Sequence, residues 1–337
     1  MVHIGKKRVH ENKEIEKDIK LLNEKIKLAK QEVRKILVGQ EYVLNSLFEA
    51  LLANGHVLVE GIPGTGKTLL VRAISKVSGS LFSRIQFTPD LLPTDILGIT
   101  TYEEGKGFYT VKGPIFSNFL LADEINRAPP KVQSALLEGM QERQVTIGKE
   151  TFKLPYPFLV MATQNPLEQL GTYKLPEAQV DRFLYKVIVE YPKTDEELLI
   201  LNTNITTQSF DDFKLMPILS PSEIITGQEL VKKVYCDEKI EKYIIKLIDA
   251  TRHPEKYSIE NGKYIEYGAS PRSSISLYIS SKAHALLKGR SYVTQQDVKD
   301  IALNVLRHRV LINFEGEAES VKAEEIITEI LKKVPIL

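Results

Sequence analysis

The chain runs to 337 residues, 43% of them hydrophobic and 26% charged, which is enough to bury a core and, by length, to make about two domains. A formal net charge of +1 leaves no global field to draw it to nucleic acid or anionic lipid. Cys236 is the single cysteine, so no internal disulfide can form; with no signal-peptide core and no apolar run long enough to span a bilayer, the expected compartment is the cytoplasm.

The opening segment, residues 1–38, is charged but carries Ile15, Ile19, Leu22, Ile26, Ala29, Val33 and Ile36 at alternating spacings of four and three. That spacing places them on one stripe of an amphipathic helix. Such a stripe serves either as a coiled-coil seam or as a face that docks on the helix's own domain; the repeat stops after about three and a half heptads, which favours docking.

From residue 39 to 191 short apolar strands alternate with helical stretches, the pattern of a parallel sheet covered by helices on both faces. Strands are expected at Val57 to Glu60, Ser83 to Phe87, Phe119 to Asp123, Phe158 to Thr163 and Lys186 to Val189. The first runs into GIPGTGKT and then a helix over Leu69 to Val77, which satisfies G-x-x-x-x-G-K-[ST] in its proper strand-turn-helix context. Gly61, Gly64 and Gly66 let the backbone curl so that successive N–H groups and the helix N-terminus face phosphates. Lys67 adds a cation to the same phosphates and Thr68 a hydroxyl for Mg²⁺, so ATP and Mg²⁺ are the expected cofactors. Pro63, Thr65 and Leu69 complete this nucleotide-contacting stretch.

A second strand ends in NFLLADEINR. Asp123 at its carboxyl end is placed to hold Mg²⁺ through water beside Thr68, and Glu124 to take a proton from the attacking water. A third strand, FLVMATQNP, ends in Asn165. Its amide either orients the lytic water at the carboxyl end of the sheet or initiates a turn before Pro166.

Two stretches interrupt the alternation, at about 99–113 and 143–154. TTYEEGKGFYTVKG reads as a hairpin about Gly105-Lys106-Gly107, and RQVTIGKETFKL as one turning at Gly148-Lys149. Tyr102, Phe108 and Tyr109 near the first tip either grip a polypeptide or pair across the strands. From residue 192 to 337 the pattern turns helical: Asp195 to Leu201, Glu223 to Val234, Glu238 to Thr251, Ser273 to Leu287, Gln295 to His308 and Ala323 to Lys333, with Asn202 to Ser220 as a loop.

With the three strand ends in place, the chain resembles an AAA+ ATPase, and within that class the MoxR family. GIPGTGKT, ADEINRAPPKVQSALLEGMQER, ATQNPLEQLGTYKLPEAQVDRFL and GASPR carry the resemblance. It implies a three-layer αβα parallel-sheet core with a C-terminal all-helical lid, in a homo-oligomeric, usually six-membered ring that binds ATP between neighbours. Carried over residue by residue, it makes Lys67 and Thr68 part of Walker A, Asp123 and Glu124 Walker B, and Asn165 sensor 1. Arg182 falls at the arginine finger that reaches the next subunit's nucleotide, and Arg272 at sensor 2; the alternative for each is an ordinary ion pair. Val38, Gly39 and Gln40 resemble the segment that lies against adenine. A finger supplied by a neighbour accelerates hydrolysis by roughly 10³ to 10⁵, which ties turnover to assembly.

The implied activity is ATP hydrolysis used to remodel, assemble or activate a partner protein complex, chaperone-like and extending to metal or cofactor insertion, commonly with a von Willebrand factor A domain partner. The rival is a nucleic-acid motor or helicase-related ATPase, since similar insertions line DNA channels in related rings. The near-neutral charge and the lack of a Cys/His cluster weigh against it; Lys106 and Lys149 at the hairpin tips are what it rests on.

Overall fold

The computed structural model describes residues 2–61, 64, 66–166, 172–202 and 210–336, with residues 2–12 described by backbone alone. Eleven strands appear among the described residues: β1 Val57–Gly61, β2 Phe82–Gln86, β3 Gly98–Glu103, β4 Gly107–Lys112, β5 Phe119–Asp123, β6 Gln144–Ile147, β7 Glu150–Lys153, β8 Leu159–Gln164, β9 Tyr185–Val189, β10 Ile265–Tyr267 and β11 Leu311–Ile312. Through the first half run the helices α1 Val2–Val33, α2 Glu41–Leu52, α3 Lys67–Val77, α4 Pro93–Leu97, α5 Pro130–Glu142, α6 Glu177–Val180 and α7 Thr194–Asn202. The second half adds α8 Pro221–Lys233, α9 Glu238–Arg252, α10 Pro271–Leu287, α11 Gln295–Leu306, α12 Phe314–Ala318 and α13 Ala323–Lys333. None of the described helices is long and apolar enough to cross a membrane.

Two compact units result. One comprises Lys25–Phe183 and Val187–Ile225; the other comprises Met1–Glu24, Leu184–Lys186 and Thr226–Leu337. The first is built on a five-stranded sheet of order β2-β5-β8-β1-β9, with β2·β5, β5·β8 and β8·β1 all parallel. Its central strands are apolar without a break because both faces are covered: Phe119 to Ala122 and Leu159 to Thr163 are buried throughout. At the edge, β2 alternates instead, with Ile85 turned into the core and Arg84 left exposed. A core of Leu58, Ile85, Phe87, Leu120, Val132, Leu136 and Phe183 joins the sheet to α5.

Both insertions are antiparallel hairpins at the expected places. The first is pinched at its base, where Gly98 sits at φ +105° and a Cβ would lie 2.2 Å from the Val111 carbonyl oxygen, so no larger residue fits. The two hairpins also touch. Phe116 and Phe152 meet edge to face at 6.2 Å, and the Lys112 ammonium lies 5.0 and 5.2 Å from their ring centroids.

The second unit is a helical lid in which Asp237 caps α9 through the Lys239 amide and a Thr294–Asp297 capping box opens α11. It is not purely helical: β10 and β11 form a two-stranded antiparallel pair that the three- and two-residue lengths hid from a periodicity reading. Of the expected apolar stripe, Ile15 is half-buried while Ile19 and Leu22 are buried in the lid, and Ile26, Ala29 and Val33 of α1, with Ile36 in the turn that follows, are buried in the sheet unit. Among the described side chains, these stripe residues are buried within their own chain.

Candidate functional site

At the carboxyl ends of β1, β2, β5 and β8 a cavity of about 390 Å³ opens, and Gly61, Gly64, Gly66, Lys67, Thr68 and Leu69 form one wall. The turn exists because Gly64 and Gly66 adopt φ +82° and +74°, with open space where a Cβ would stand. Gly64 and Gly66 therefore line the cavity without side chains in the way. Gly66 precedes α3, whose N-terminus adds its partial positive charge. Pro63 and Thr65 lie outside the described residues.

Lys67 Nζ donates to the Gly61 carbonyl at 2.6 Å. Burial pulls its pKa below the ordinary lysine value, opposed by the nearby Asp123 and Glu124 carboxylates. Asp123 and Glu124 face the same cavity from the end of β5, and Asn165 does so from the end of β8. The structure thus brings Lys67, Thr68, Asp123, Glu124 and Asn165 to one place. Glu124 sits at φ +57°, just past the strand, which turns its side chain away from the sheet line that Asp123 follows.

Four further residues line the cavity and were not anticipated: Arg84, Gln86, Thr163 and Gln164. The Thr163 hydroxyl donates to Asp123 Oδ1 at 2.7 Å and accepts from the Glu124 amide at 2.8 Å, so one side chain fixes both acids. Arg84 donates to Asp123 Oδ2 from Nη2 at 2.7 Å and from Nε at 3.2 Å. Gln86, the register partner of Asp123, donates to Glu124 Oε2 at 2.7 Å. Arg127 lies 3.1 Å from the same Glu124 oxygen. The polar alternation Arg84, Gln86 on an expected strand was the available signal; nothing in the sequence said that β2 would pair with β5.

The remaining candidates lie elsewhere. Val38, Gly39 and Gln40 form the turn into α2 and are not in the cavity lining; a Cβ on Gly39 would meet the Glu196 carboxylate. Arg182, just past the short α6, is half-buried in the sheet unit and also outside that lining. Arg272 occupies the exposed first turn of α10 in the lid unit.

Thr68 and Asp123 supply a hydroxyl and a carboxylate, hard oxygen donors of the kind Mg²⁺ takes together with nucleotide phosphates. No group of three or more His, Cys, Asp or Glu among the described residues could hold a metal by itself. The donor set therefore fits a cation shared with a phosphate.

A glycine-rich amide loop, a strand-end Asp-Glu pair and a third polar strand end on one parallel sheet define the nucleotide site of a P-loop ATPase fold. Comparison with known proteins agrees. Residues 56–185 match the ATPase family associated with various cellular activities (AAA), and residues 259–330 match the AAA lid domain. The chain is 46% identical to Chaperone MoxR1 of Mycobacterium tuberculosis over 90% of its own length and 80% of the relative's. It is 29% identical to the protein MoxR of Paracoccus denitrificans over 82% and 86% of the two chains. A crystal structure of a protein from Cytophaga hutchinsonii superposes with a TM-score of 0.91 at 47% identity, covering 97% of this chain and 99% of that one. The chain belongs to the MoxR family of AAA+ ATPases.

Proposed function

We propose that the chain hydrolyses ATP with Mg²⁺ at the cavity and uses the cycle, in the cytoplasm, to remodel or activate a client protein complex. One observation carries this: Lys67, Thr68, Asp123, Glu124 and Asn165, drawn from three strand ends, share one cavity. Lys67 and the loop amides hold the β- and γ-phosphates; Thr68 and Asp123 hold the metal, which neutralises charge on those phosphates when bound. Glu124 accepts the proton of the attacking water, and Asn165 orients that water. Arg182 supplies a further cation to the γ-phosphate from the neighbouring protomer of a homo-oligomeric, six-membered ring, and Arg272, in the helical lid, reports nucleotide state. Val38, Gly39 and Gln40 border the adenine, with Pro63, Thr65 and Leu69 completing the contact stretch. The chaperone name of the Mycobacterium tuberculosis relative supports a protein client, and a von Willebrand factor A domain protein is the partner class to test.

Phosphate release with purified chain tests the activity directly. Glu124→Gln should retain ATP and lose roughly 10² to 10⁴ in rate, the usual share of a general base. Arg182→Ala should also be slow, and mixing it with Glu124→Gln subunits should restore turnover, because each supplies what the other lacks. No rescue in the mixture means that Arg182 does not act across an interface. Glu124→Gln held with ATP is also the form in which to capture the client.

A further inference from the structure

The phosphate loop and the two acids account for one side of the cavity; the β2 side carries a guanidinium that the ATPase reading does not use. Arg84 and Gln86 stand two residues apart on the edge strand and so point to the same face. Arg84 Nη2 lies 2.7 Å both from Asp123 Oδ2 and from Gln86 Oε1. Because Gln86 accepts from Arg84 through its oxygen, its amide nitrogen is turned to Glu124, 2.7 Å away. The guanidinium therefore stands at the head of a relay, Arg84 to Asp123 on one branch and Arg84 to Gln86 to Glu124 on the other.

Asp123 has two oxygens. Thr163 takes Oδ1 and Arg84 takes Oδ2 twice, leaving the carboxylate only 15% exposed at its side chain against 46% for Arg84. A divalent cation drawn to Asp123 thus meets a unit positive charge already seated on the same oxygen. Two cations within a few ångströms repel strongly in a half-exposed site, and the more exposed Arg84 is the one able to leave.

We propose that Arg84 is a positioning residue that competes with Mg²⁺ for Asp123, so that loading of metal and nucleotide is the step that breaks the relay between the two acids. The inference rests on the ATP reading of this cavity. Arg84 then sets how strongly metal and nucleotide assist each other's binding, while Lys67, Thr68 and Glu124 keep their parts in the chemistry.

The test measures binding of a fluorescent ATP analogue to the full-length chain in excess EDTA and in excess Mg²⁺, and takes the ratio of the two Kd values as the metal coupling. Arg84→Gln should raise that ratio by roughly tenfold, the order expected when one unit charge beside a divalent cation is lost. Arg84→Lys, which keeps the charge, should stay near wild type, and Arg84→Met, a second neutral side chain on this exposed strand, should repeat the Gln result. A ratio that stays unchanged or falls in Arg84→Gln and Arg84→Met, with wild type binding normally, overturns the competition. A wild-type chain that binds the analogue in neither condition overturns the nucleotide reading itself and this inference with it.

Discussion

The two ends of the same parallel sheet are both rich in buried or half-buried polar groups, and they are wired in opposite ways. At the carboxyl end, side chains bond to side chains: Arg84 to Asp123, Gln86 to Glu124, Thr163 to Asp123. At the amino end, side chains bond mostly to backbone. His56 Nδ1 accepts from the Val160 amide at 3.0 Å and its Nε2 donates to the Met140 carbonyl at 3.1 Å, which fixes a neutral tautomer. Arg143, at the base of the second hairpin, donates to the Phe158 carbonyl and, at 2.8 Å, to the Asn54 carbonyl. Asn118 bridges the Pro157 carbonyl at 2.8 Å and the Leu81 amide at 3.2 Å. Side chains opposed to one another can exchange partners by rotating when a ligand arrives. Groups bonded to the backbone cannot do so without opening the sheet, so one end is free for chemistry and the other holds the strands in place.

The largest effect that would break this contrast is at Arg143. Burial lowers its pKa below the ordinary arginine value, yet its guanidinium satisfies two main-chain oxygens and packs on Tyr156 and Phe158 at 5.9 and 5.5 Å. Truncation strands buried carbonyls, so Arg143→Ala should cost about 2–5 kcal/mol of stability and leave the affinity of the folded protein for ATP unchanged. Glu124→Gln should instead keep both its stability and its affinity for ATP and lose hydrolysis, since the partners of the Glu124 carboxylate among the described residues, Gln86 and Arg127, are side chains. Denaturant melts followed by circular dichroism, nucleotide titrations and phosphate release separate the two variants. Should Arg143→Ala melt like wild type, the amino end is not structural in the sense argued.

A smaller effect, but a sharper one, lies in pH. Burial first, and then the Arg143 charge, push the His56 pKa well below 6.5 in the folded chain, with the Met140 carbonyl pulling weakly the other way. Below pH 6.5 the unfolded chain takes up a proton that the folded chain refuses. Stability is therefore whole above that pH and falls as pH drops through and below it, by up to about 1.4 kcal/mol per pH unit for one proton. His56→Gln offers an acceptor and a donor in similar positions and has no proton to gain. Its melts at pH 7.5 and 5.5 should lie closer together than those of wild type, and an equal separation would mean that the acid sensitivity originates elsewhere.

How much of this was legible before any coordinates depended on distance along the chain. All five sheet strands fall within a residue or two of their expected limits, because doubly covered strands are continuous apolar runs. The glycine turn, Lys67, Thr68, Asp123 and Glu124 were legible because local sequence fixes them. Arg84 and Gln86 were not, since their meaning depends on β2 pairing with β5, nearly forty residues on by register. His56 and Arg143 are separated further still, and both read as ordinary polar residues until the sheet brings them to the same edge. The β10·β11 pair was too short to show any period, and the turn at Val38 to Gln40 gave no sign that Glu196 would pack against Gly39.

The first hairpin belongs to neither end of the sheet, and it carries the smallest expected effect on stability. The pairing reading of its aromatics holds, since Tyr102 and Phe108 are cross-strand partners with ring centroids 5.2 Å apart, while their 62% and 79% exposure leaves both rings free to be tested as a grip. An aromatic pair is worth about 0.5–1.5 kcal/mol where it is well covered, and a two-stranded ribbon in water adds little to that. Phe108→Ala should therefore leave the global melt almost unmoved and quicken amide exchange only between Gly98 and Lys112. If the ring serves only its partner across the strand, client-stimulated ATP hydrolysis will survive the substitution. If the exposed face grips a polypeptide, stimulation should fall while basal hydrolysis persists. That split separates a side chain kept for the ribbon from one kept for what the ribbon touches.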